Sequence, residues 1–278
     1  YVPGGHWFPV VATRRALVAG TGAVADMLEG FNRAMQDRCT IHAVIKGSSI
    51  NDEGSEKVGY SAPSIQGQTE VIIEAQALAQ ITANQISYVE AHGTATPLGD
   101  PIEVAGLTQA FRETTNDSQF CGLGSVKSNI GHVDKAAGLA GLVKTVLGLK
   151  HEVMPPTANF KSPNPRLKIE ETPFFVVAQP QPWERSENIP RIAAISSFGV
   201  GGTNAHAIIS EAPFLSERPT SDRPELIVLS AKSEPALVRL FADFQQSVDD
   251  KIGTLKDIGY TLKIGRKRQP VPNSCLLY

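Results

Sequence analysis

The sequence lacks the features that attach a protein to a membrane or to a nucleic acid. No apolar run reaches the roughly 18 residues that a membrane-spanning helix needs, and no basic stretch followed by an apolar one opens the chain as in a signal peptide. The 26 Lys and Arg residues are balanced by 28 Asp and Glu, which gives a formal net charge of −2. Because proteins that bind nucleic acids or anionic membranes usually carry a basic excess, we expect no nucleic-acid and no membrane partner.

Cysteine is also scarce. The chain has Cys39, Cys121 and Cys275, which are too scattered for a disulfide framework or a CxxC metal site. This usage indicates a reducing, cytoplasmic compartment. The 278 residues are 41% hydrophobic, which excludes a wholly disordered chain and suffices for one large domain or two ordinary ones. Since the first residue is not Met, we expect a processed or partial chain.

The order of predicted elements favours the α/β class, because strands and helices alternate along most of the chain. The helix predicted over 134–149 has small residues in its first half, which let another backbone approach closely, so we expect it to be buried. Residues 10–36 have weak helical periodicity, 51–63 are predicted as a loop and 266–278 as a basic, then structureless tail. The predicted strands are 41–45, 86–91, 121–126, 174–178, 192–198, 205–210 and 226–229, and the other predicted helices are 66–80, 101–111, 235–248 and 255–264.

Three glycine-rich polar segments follow predicted strands, where ligand sites of α/β folds usually lie. They do not form a phosphate-binding loop, because Val126 stands where a Walker motif needs Gly before Lys127, and the glycines from Gly199 onward lack dinucleotide spacing. They also predict no metal site, because their histidines are each isolated in sequence. The three segments are 90–100, 127–132 and 198–206.

His92, His132 and Lys127 are the residues of these segments that can carry chemistry. Neutral imidazoles can donate hydrogen bonds to a developing enolate or oxyanion, and a nearby lysine can keep an imidazole neutral by charge repulsion. This set suits carbon–carbon bond formation through a stabilised carbanion. The alternative is that the histidines are loop residues satisfied by backbone carbonyls, and spacing alone leaves both interpretations open. His206 is expected to be structural, since it points into a predicted strand.

The order and spacing of the three segments resemble those of β-ketoacyl synthases, most closely the ketosynthase domains of modular polyketide synthases and animal-type fatty acid synthases. The resemblance implies a thiolase-like fold, of which this chain is the C-terminal half, followed by a small α/β linker region. The motifs that carry it are EAHGTAT at 90–96, KSNIGH at 127–132 and GVGGTN at 199–204.

The resemblance also divides the chain into four segments. Residues 41–213 match the second half of the ketosynthase, and 214–265 resemble the linker that follows it, including the linker-like composition of 216–224. Residues 1–40 are a divergent N-terminal segment and 266–278 a divergent tail. Such a linker favours a multifunctional synthase over a free-standing fatty acid enzyme.

The family reaction is a decarboxylative Claisen condensation of acyl and malonyl-type thioesters held on an acyl carrier protein. By resemblance, His92 and His132 are the catalytic histidines that hold the malonyl thioester and assist decarboxylation, and Lys127 orders the second one. No cofactor is expected in the chain itself, since phosphopantetheine belongs to the carrier protein. The residues implied to bind the acyl chain or the phosphopantetheine arm are Thr94, Thr96, Phe198, Val200 and Asn204.

The family nucleophile is a cysteine in an upstream segment that this sequence does not contain. None of the three cysteines has a neighbouring base or motif that would activate it, so we expect no nucleophile in the chain and no activity from the chain alone. The expected partners are an acyl carrier protein, the N-terminal half of the ketosynthase, an adjacent acyltransferase or other synthase domain, and a second copy in a homodimer. The alternative is a non-catalytic ketosynthase remnant or interaction module.

Asp100 and Glu103 are expected to form a structural pair, and Asp134 to cap a helix.

Overall fold

The structure is a computed structural model. It contains two compact units, Tyr1–Pro213 and Phe214–Tyr278. The N-terminal segment before residue 19 and residues 216–223 of the expected linker lie outside the described residues. The residues that the structure describes are 19–54, 63–186, 189–214, 224–249 and 254–277.

A six-stranded mixed sheet forms the centre of the larger unit. Its strands are β1 (Ala43–Asp52), β2 (Tyr88–Glu90), β3 (Cys121–Gly124), β5 (Phe174–Val176), β7 (Ile192–Phe198) and β8 (Thr203–Glu211), and a separate pair is formed by β4 (Val153–Met154) and β6 (Gln181–Pro182). The strand order is β1-β8-β7-β2-β3-β5. The run β7-β2-β3-β5 is parallel, whereas β8 is antiparallel to both of its neighbours. The carboxyl ends of β2, β3 and β7 therefore lie at one edge of the sheet.

Helices cover both faces of this sheet. They are α1 (Phe31–Gln36), α2 (Ile65–Ala79), α3 (Gly99–Arg112), α4 (Lys127–Ile130) and α5 (Ala137–His151), with 3-10 turns at Ala83–Gln85, Asp134–Ala136, Pro165–Leu167 and Ile169–Glu171. Helix α2 begins after Ser64, whose hydroxyl accepts the Gly67 N–H at 3.2 Å and satisfies one of the free N–H groups of the first turn. Helices α2 and α3 pack together on one face, and α5 contacts β7, β8, β1 and β2 on the other.

The side chains of β7 show how the two core layers are divided. Ile192 and Ala194 belong to the core formed with α2 and α3, whereas Ala193 and Ile195 belong to the core on the α5 side. Alternate residues of a strand point to opposite faces, so this strand, buried on both faces, is apolar at every one of these positions. Full burial of a large apolar side chain is worth about 1.5–3 kcal/mol.

The small residues of α5 lie where the helix approaches the sheet. A Cβ on Gly138 would come within 2.8 Å of the Ser197 hydroxyl, and one on Gly141 within 3.0 Å of the Glu90 Cγ. The close approach expected from the sequence therefore occurs against β7 and β2. The helix is not buried all round, because Leu139 and Leu147 on its other side remain 42% and 49% exposed.

The smaller unit contains two strands and two helices. Strands β9 (Glu225–Ala231) and β10 (Val271–Leu277) pair antiparallel, from Val271 opposite Ala231 to Leu277 opposite Glu225. Helix α6 (Glu234–Asp249) contacts both strands, and α7 (Leu255–Ile264) contacts β9. The prediction of a structureless tail over 266–278 is therefore wrong. Pro, Asn and Ser at 272–274 weaken the local strand signal, and the strand depends on its pairing with β9.

Two further expectations near the N-terminus need correction. The strand predicted over 41–45 extends to Asp52, because its polar second half pairs with β8 along the edge of the sheet. The weak helical pattern over 10–36 corresponds, among the residues described from 19 onward, to helix only at Phe31–Gln36. In the described parts of the chain, no helix has the length and hydropathy that crossing a membrane would require.

Candidate active site

His92 lies in the loop that follows β2. Its Nδ1 accepts the backbone N–H of Phe198, at the end of β7, with an N–N distance of 3.2 Å. Because a backbone N–H can only donate, the accepting nitrogen carries no proton, and the neutral ring must hold its proton on Nε2. The fold therefore fixes both the orientation and the tautomer of this imidazole.

His132 follows the single turn of α4, after Gly131 with φ +78°. Its Nδ1 accepts the backbone N–H of Asp134 at 3.0 Å, so this neutral ring also carries its proton on Nε2. The two imidazole centroids are 5.7 Å apart with an interplanar angle of 81°. The structure thus brings together two histidines that are 40 positions apart in sequence, each with an Nε2–H available as a donor. Asp134 contributes this backbone contact and does not cap α5, whose N-cap residue is Ala136.

Lys127, the first residue of α4, sets the charge of the site. It is 3% exposed, and burial lowers its pKa, although the carboxylates of Glu103, Glu90 and Asp100 act in the opposite direction. Burial, the Lys127 charge and the second histidine hold the pKa of His92 well below its ordinary value. Burial and Lys127 also lower the pKa of His132, against the carboxylate of Asp134. Both rings are therefore neutral near pH 7 and act as donors through Nε2.

The Lys127→Met variant tests this electrostatic account. Loss of the cation makes protonation of both neighbouring imidazoles more favourable, so the pKa values of His92 and His132 should rise. NMR titration of the histidine ring protons measures these values directly. Lys150→Met, which removes an exposed lysine at the end of α5, should leave both titrations unchanged. Equal titration curves for Lys127→Met and the unmodified chain would contradict the assigned role of Lys127.

Two carboxylates of α3 hold the loop that carries His92. The Oε1 and Oε2 atoms of Glu103 accept the backbone N–H groups of His92 and Gly93 at 2.6 and 2.8 Å. Asp100 Oδ1 accepts the Ala95 N–H at 2.9 Å. Burial raises the pKa of Glu103 to about 7, although its hydrogen bond from Gly93 acts in the opposite direction. The two carboxylates thus have a structural role, as the sequence predicts, and the segment that they hold is the His92 loop.

The conformation of this loop explains its composition. Gly93 has φ +46° and Ala95 has φ +58°, which is the left-handed region where a side chain costs energy. Ala95 therefore has a backbone conformation that glycine would adopt with less strain. A Cβ on Gly93 would also lie 2.9 Å from Ser125, so the glycine allows the His92 loop to lie against the segment that precedes Lys127.

The predicted binding residues fall into two groups. Phe198 packs beside His92, with ring centroids 5.8 Å apart, and Thr94 and Thr96 have their hydroxyl oxygens 3.5 Å apart in the half-buried His92 loop. Val200 lies at the turn between β7 and β8 and is 64% exposed. Asn204 differs from these four. It is buried, and its amide donates to Asn51 and Glu53 at 3.2 and 3.0 Å, which favours a role in holding β8 to β1.

Neither described thiol is activated. Cys121 is buried in β3, and burial raises its pKa well above the ordinary value. A hydrogen bond to Glu29, followed by burial and the Glu29 charge, raises the pKa of Cys39. The Cys275 side chain lies outside the described residues.

His206 is buried in β8, and its Nδ1 lies 3.1 Å from the Ser196 hydroxyl. This hydrogen bond does not connect it to His92 or His132. Among the described residues, no group of three or more His, Cys, Asp or Glu could hold a metal ion.

Two family models match adjacent parts of the chain. The C-terminal domain of β-ketoacyl synthases matches residues 42–161, and the ketoacyl-synthetase C-terminal extension matches residues 163–269. Together they cover the three motifs, the histidine pair and most of the smaller unit.

Similar proteins are polyketide synthases. A phenolphthiocerol/phthiocerol polyketide synthase polypeptide of Mycobacterium tuberculosis is 44% identical over 269 residues, which are 95% of this chain and 18% of the relative. Polyketide synthase PksN of Bacillus subtilis is 40% identical over 269 residues, 95% of this chain and 5% of the relative. The chain therefore spans less than a fifth of the length of these curated relatives.

Solved structures of ketosynthases have the same fold. The ketosynthase from module 1 of the bacillaene synthase of Bacillus amyloliquefaciens has a TM-score of 0.86 at 36% identity and covers 99% of this chain and 50% of its own. The ketosynthase from module 6 of the bacillaene synthase of Bacillus subtilis has a TM-score of 0.77 at 39% identity and covers 90% of this chain and 43% of its own. This chain thus spans half or less of those structures.

Proposed function

The chain belongs to the β-ketoacyl synthase family, as the C-terminal part of a ketosynthase domain with its extension, and from this premise we propose that it supplies the carbanion-stabilising half of a polyketide-type condensing enzyme. The thiolase-like α/β class expected from the sequence is confirmed. The observation that carries the proposal is the pair of neutral imidazoles, His92 and His132, which lie side by side with their protons on Nε2.

Decarboxylation of a malonyl thioester is the step that this arrangement suits. The bond between the malonyl Cα and its carboxylate breaks and carbon dioxide leaves. The bonding electrons move toward the thioester carbonyl, whose oxygen becomes negatively charged. Two Nε2–H donors on His92 and His132 would stabilise this enolate, since preorganised donors act most strongly in a water-poor site. Burial and the Lys127 charge favour the neutral form of both rings, so each ring has a lone pair held by the fold on Nδ1 and a proton to donate on Nε2.

The new carbon–carbon bond would form in the next step. The enolate carbon attacks the carbonyl of an acyl thioester on a cysteine, and the thiolate of that cysteine leaves. This makes the complete enzyme an acyltransferase of the 3-oxoacyl-[acyl-carrier-protein] synthase type. The two described cysteines of this chain have raised pKa values, so we assign the nucleophile to the N-terminal half of the ketosynthase.

The substrates would reach the site on the phosphopantetheine arm of an acyl carrier protein, in the cytoplasm. Thr94 and Thr96 present adjacent hydroxyls on the His92 loop, and these suit the amide groups of that arm. Phe198 and Val200 would line the acyl path at the end of β7. We exclude Asn204 from this surface, because its amide is already bound to Asn51 and Glu53. An adjacent acyltransferase domain and a second ketosynthase copy would complete the multifunctional assembly.

Val200→Phe tests the acyl path. Valine is smaller than phenylalanine, so the native residue should admit branched or bulky acyl groups. In the complete ketosynthase, the variant should reduce acylation by a bulky acyl thioester more than acylation by an acetyl thioester. Val238→Phe, at an exposed position on α6, is the matched control. Equal effects of Val200→Phe on both substrates would place Val200 outside the acyl path.

Acyl transfer to the chain alone tests which half of the ketosynthase carries the nucleophile. A condensing cycle needs a covalent acyl intermediate on an activated thiolate. Intact-protein mass spectrometry after incubation with a thioester substrate should show no adduct on this chain, and one adduct on the N-terminal half when that half is supplied. A stoichiometric adduct on Cys39 or Cys121 that disappears on its change to Ser would contradict the proposal.

A non-catalytic remnant or interaction module is the second candidate function. The raised pKa values of Cys39 and Cys121 favour it, since they disfavour the thiolate form that a nucleophile needs near pH 7. The two candidates differ in one measurement. With the N-terminal half supplied, a condensing enzyme releases carbon dioxide from a malonyl thioester, whereas a remnant binds its partner and releases none.

A further inference from the structure

Glu90 is a buried glutamate at the end of β2 for which the proposed reaction has no use. Its Oε1 accepts the backbone N–H of Val126, the residue that precedes Lys127. Its Oε2 accepts hydrogen bonds from the Tyr88 hydroxyl and from Lys144 Nζ, both at 2.8 Å. Glu90 therefore joins the strand that leads into His92 to the turn that carries Lys127.

Stability alone does not explain this group. The side chains of Glu90 and Lys144 are 2% and 11% exposed, and a buried ion pair is often no more stabilising than apolar residues of the same volume. Helix α5 also leaves room for the carboxylate, because a Cβ on Gly141 would come within 3.0 Å of Glu90 Cγ. A carboxylate provides an acceptor for the Val126 N–H, which an apolar side chain cannot provide.

The Lys144 ammonium complements the carboxylate in two ways. It donates to Glu90 Oε2 and also to the Tyr88 hydroxyl at 3.0 Å, so the second carboxylate oxygen has two donors and the first is left for Val126. It also balances the Glu90 charge close to Lys127, whose other neighbouring charges are Glu103 and Asp100. The turn of α4 is thus held without a net buried charge from this pair.

We propose that Glu90 and Lys144 are positioning residues that fix the turn carrying Lys127 and His132 relative to His92. The hydrogen bonds that join Glu90 to Val126, Tyr88 and Lys144 support this placement. The effect of the pair on catalysis rests on the proposed function. The pair touches no substrate and acts only through the placement of the histidine site.

Two double variants of equal charge separate positioning from stability. Glu90→Gln with Lys144→Met removes both charges but keeps an amide oxygen for the Val126 N–H. Glu90→Leu with Lys144→Met removes the same charges and also the acceptor. In the complete ketosynthase, the Gln/Met variant should keep malonyl decarboxylation within about 3-fold. The Leu/Met variant should lower kcat about 10- to 100-fold with an unchanged KM, the scale expected when reacting groups are displaced by about 1 Å.

Histidine titration by NMR gives a readout that does not depend on the reaction. In the Leu/Met variant the Lys127 turn loses its anchor, so the pKa of His132 should move toward its ordinary value. The titratable groups that face this ring are Lys127, Asp134 and His92, and none of them is changed. In the Gln/Met variant the titration of His132 should match that of the unmodified chain.

The Arg191–Glu211 pair is a matched control. Its side chains are 8% and 11% exposed, and Glu211 also accepts a backbone N–H, from Arg191 at 3.0 Å. Arg191→Met with Glu211→Leu should destabilise the fold but leave the histidine titration and kcat unchanged. Identical titration and kcat in the Gln/Met and Leu/Met variants would overturn the positioning role. Failure of the proposed function would appear separately, as histidine variants that retain decarboxylation while the titration effect persists.

Discussion

Replacing either His92 or His132 with alanine is expected to lower the rate of malonyl decarboxylation at least about 100-fold, the scale of one lost oxyanion donor. The reason is geometric. Both rings accept a backbone N–H through Nδ1, so each donates only through Nε2, and an alanine leaves the developing enolate oxygen with one donor instead of two. Acyl loading of the nucleophilic cysteine should be largely intact in both variants, because that step does not need the enolate donors.

Measurement of released carbon dioxide from a malonyl thioester in the complete ketosynthase tests this expectation. His151→Ala is the control, since His151 is an exposed histidine at the end of α5 and should retain full activity. Acyl loading is followed in parallel by intact-protein mass spectrometry. Carbon dioxide release near the unmodified rate in both His92→Ala and His132→Ala would remove the assigned role from the pair.

Local patterns were sufficient to predict the elements in which the periodicity of the side chains matches their burial. Strand β7 over Ile192–Phe198 and helix α7 over Leu255–Ile264 have the predicted bounds, since the strand is a continuous apolar run and the helix has a clear apolar stripe. Strand β10 was missed because its pairing with β9 joins residues that are 40 or more positions apart. No local signal can report such a pairing.

The site shows the same division between local and long-range information. The sequence indicates His92, Lys127 and His132 because each lies in a glycine-rich segment after a strand, and parallel strands bring those segments to one edge of the sheet. The sequence indicated Glu103 only as a structural acid, because its contact with the His92 loop depends on how α3 packs. Glu90 was overlooked, although a lone glutamate in an apolar strand is a usable signal, since a buried charge needs specific partners.

Glu103→Ala should have the largest effect on stability of the single changes considered. The variant leaves the N–H groups of His92 and Gly93 without an acceptor, and each unsatisfied buried donor costs about 1–3 kcal/mol. We therefore expect a loss of about 2–6 kcal/mol in the free energy of unfolding of the larger unit, the sum for two unsatisfied donors. Glu103→Gln should lose less, because an amide oxygen can still accept one of the two N–H groups.

The loss of unfolding free energy in Glu103→Ala should also depend on pH. Burial raises the pKa of Glu103 to about 7 in the folded chain, above its ordinary value, so the folded state binds more protons than the unfolded state between these values. The contribution of Glu103 is then fully present at acid pH and declines as the pH rises through about 7.

Urea unfolding followed by the fluorescence of Trp183, which is buried in the larger unit, should show a greater loss at pH 5.5 than at pH 8. A Trp7→Phe background leaves Trp183 as the single tryptophan, and Glu113→Ala at the exposed end of α3 should change stability by less than about 0.5 kcal/mol. A loss for Glu103→Ala as small as that of Glu113→Ala, at both pH values, would show that the His92 loop holds its shape without the carboxylate.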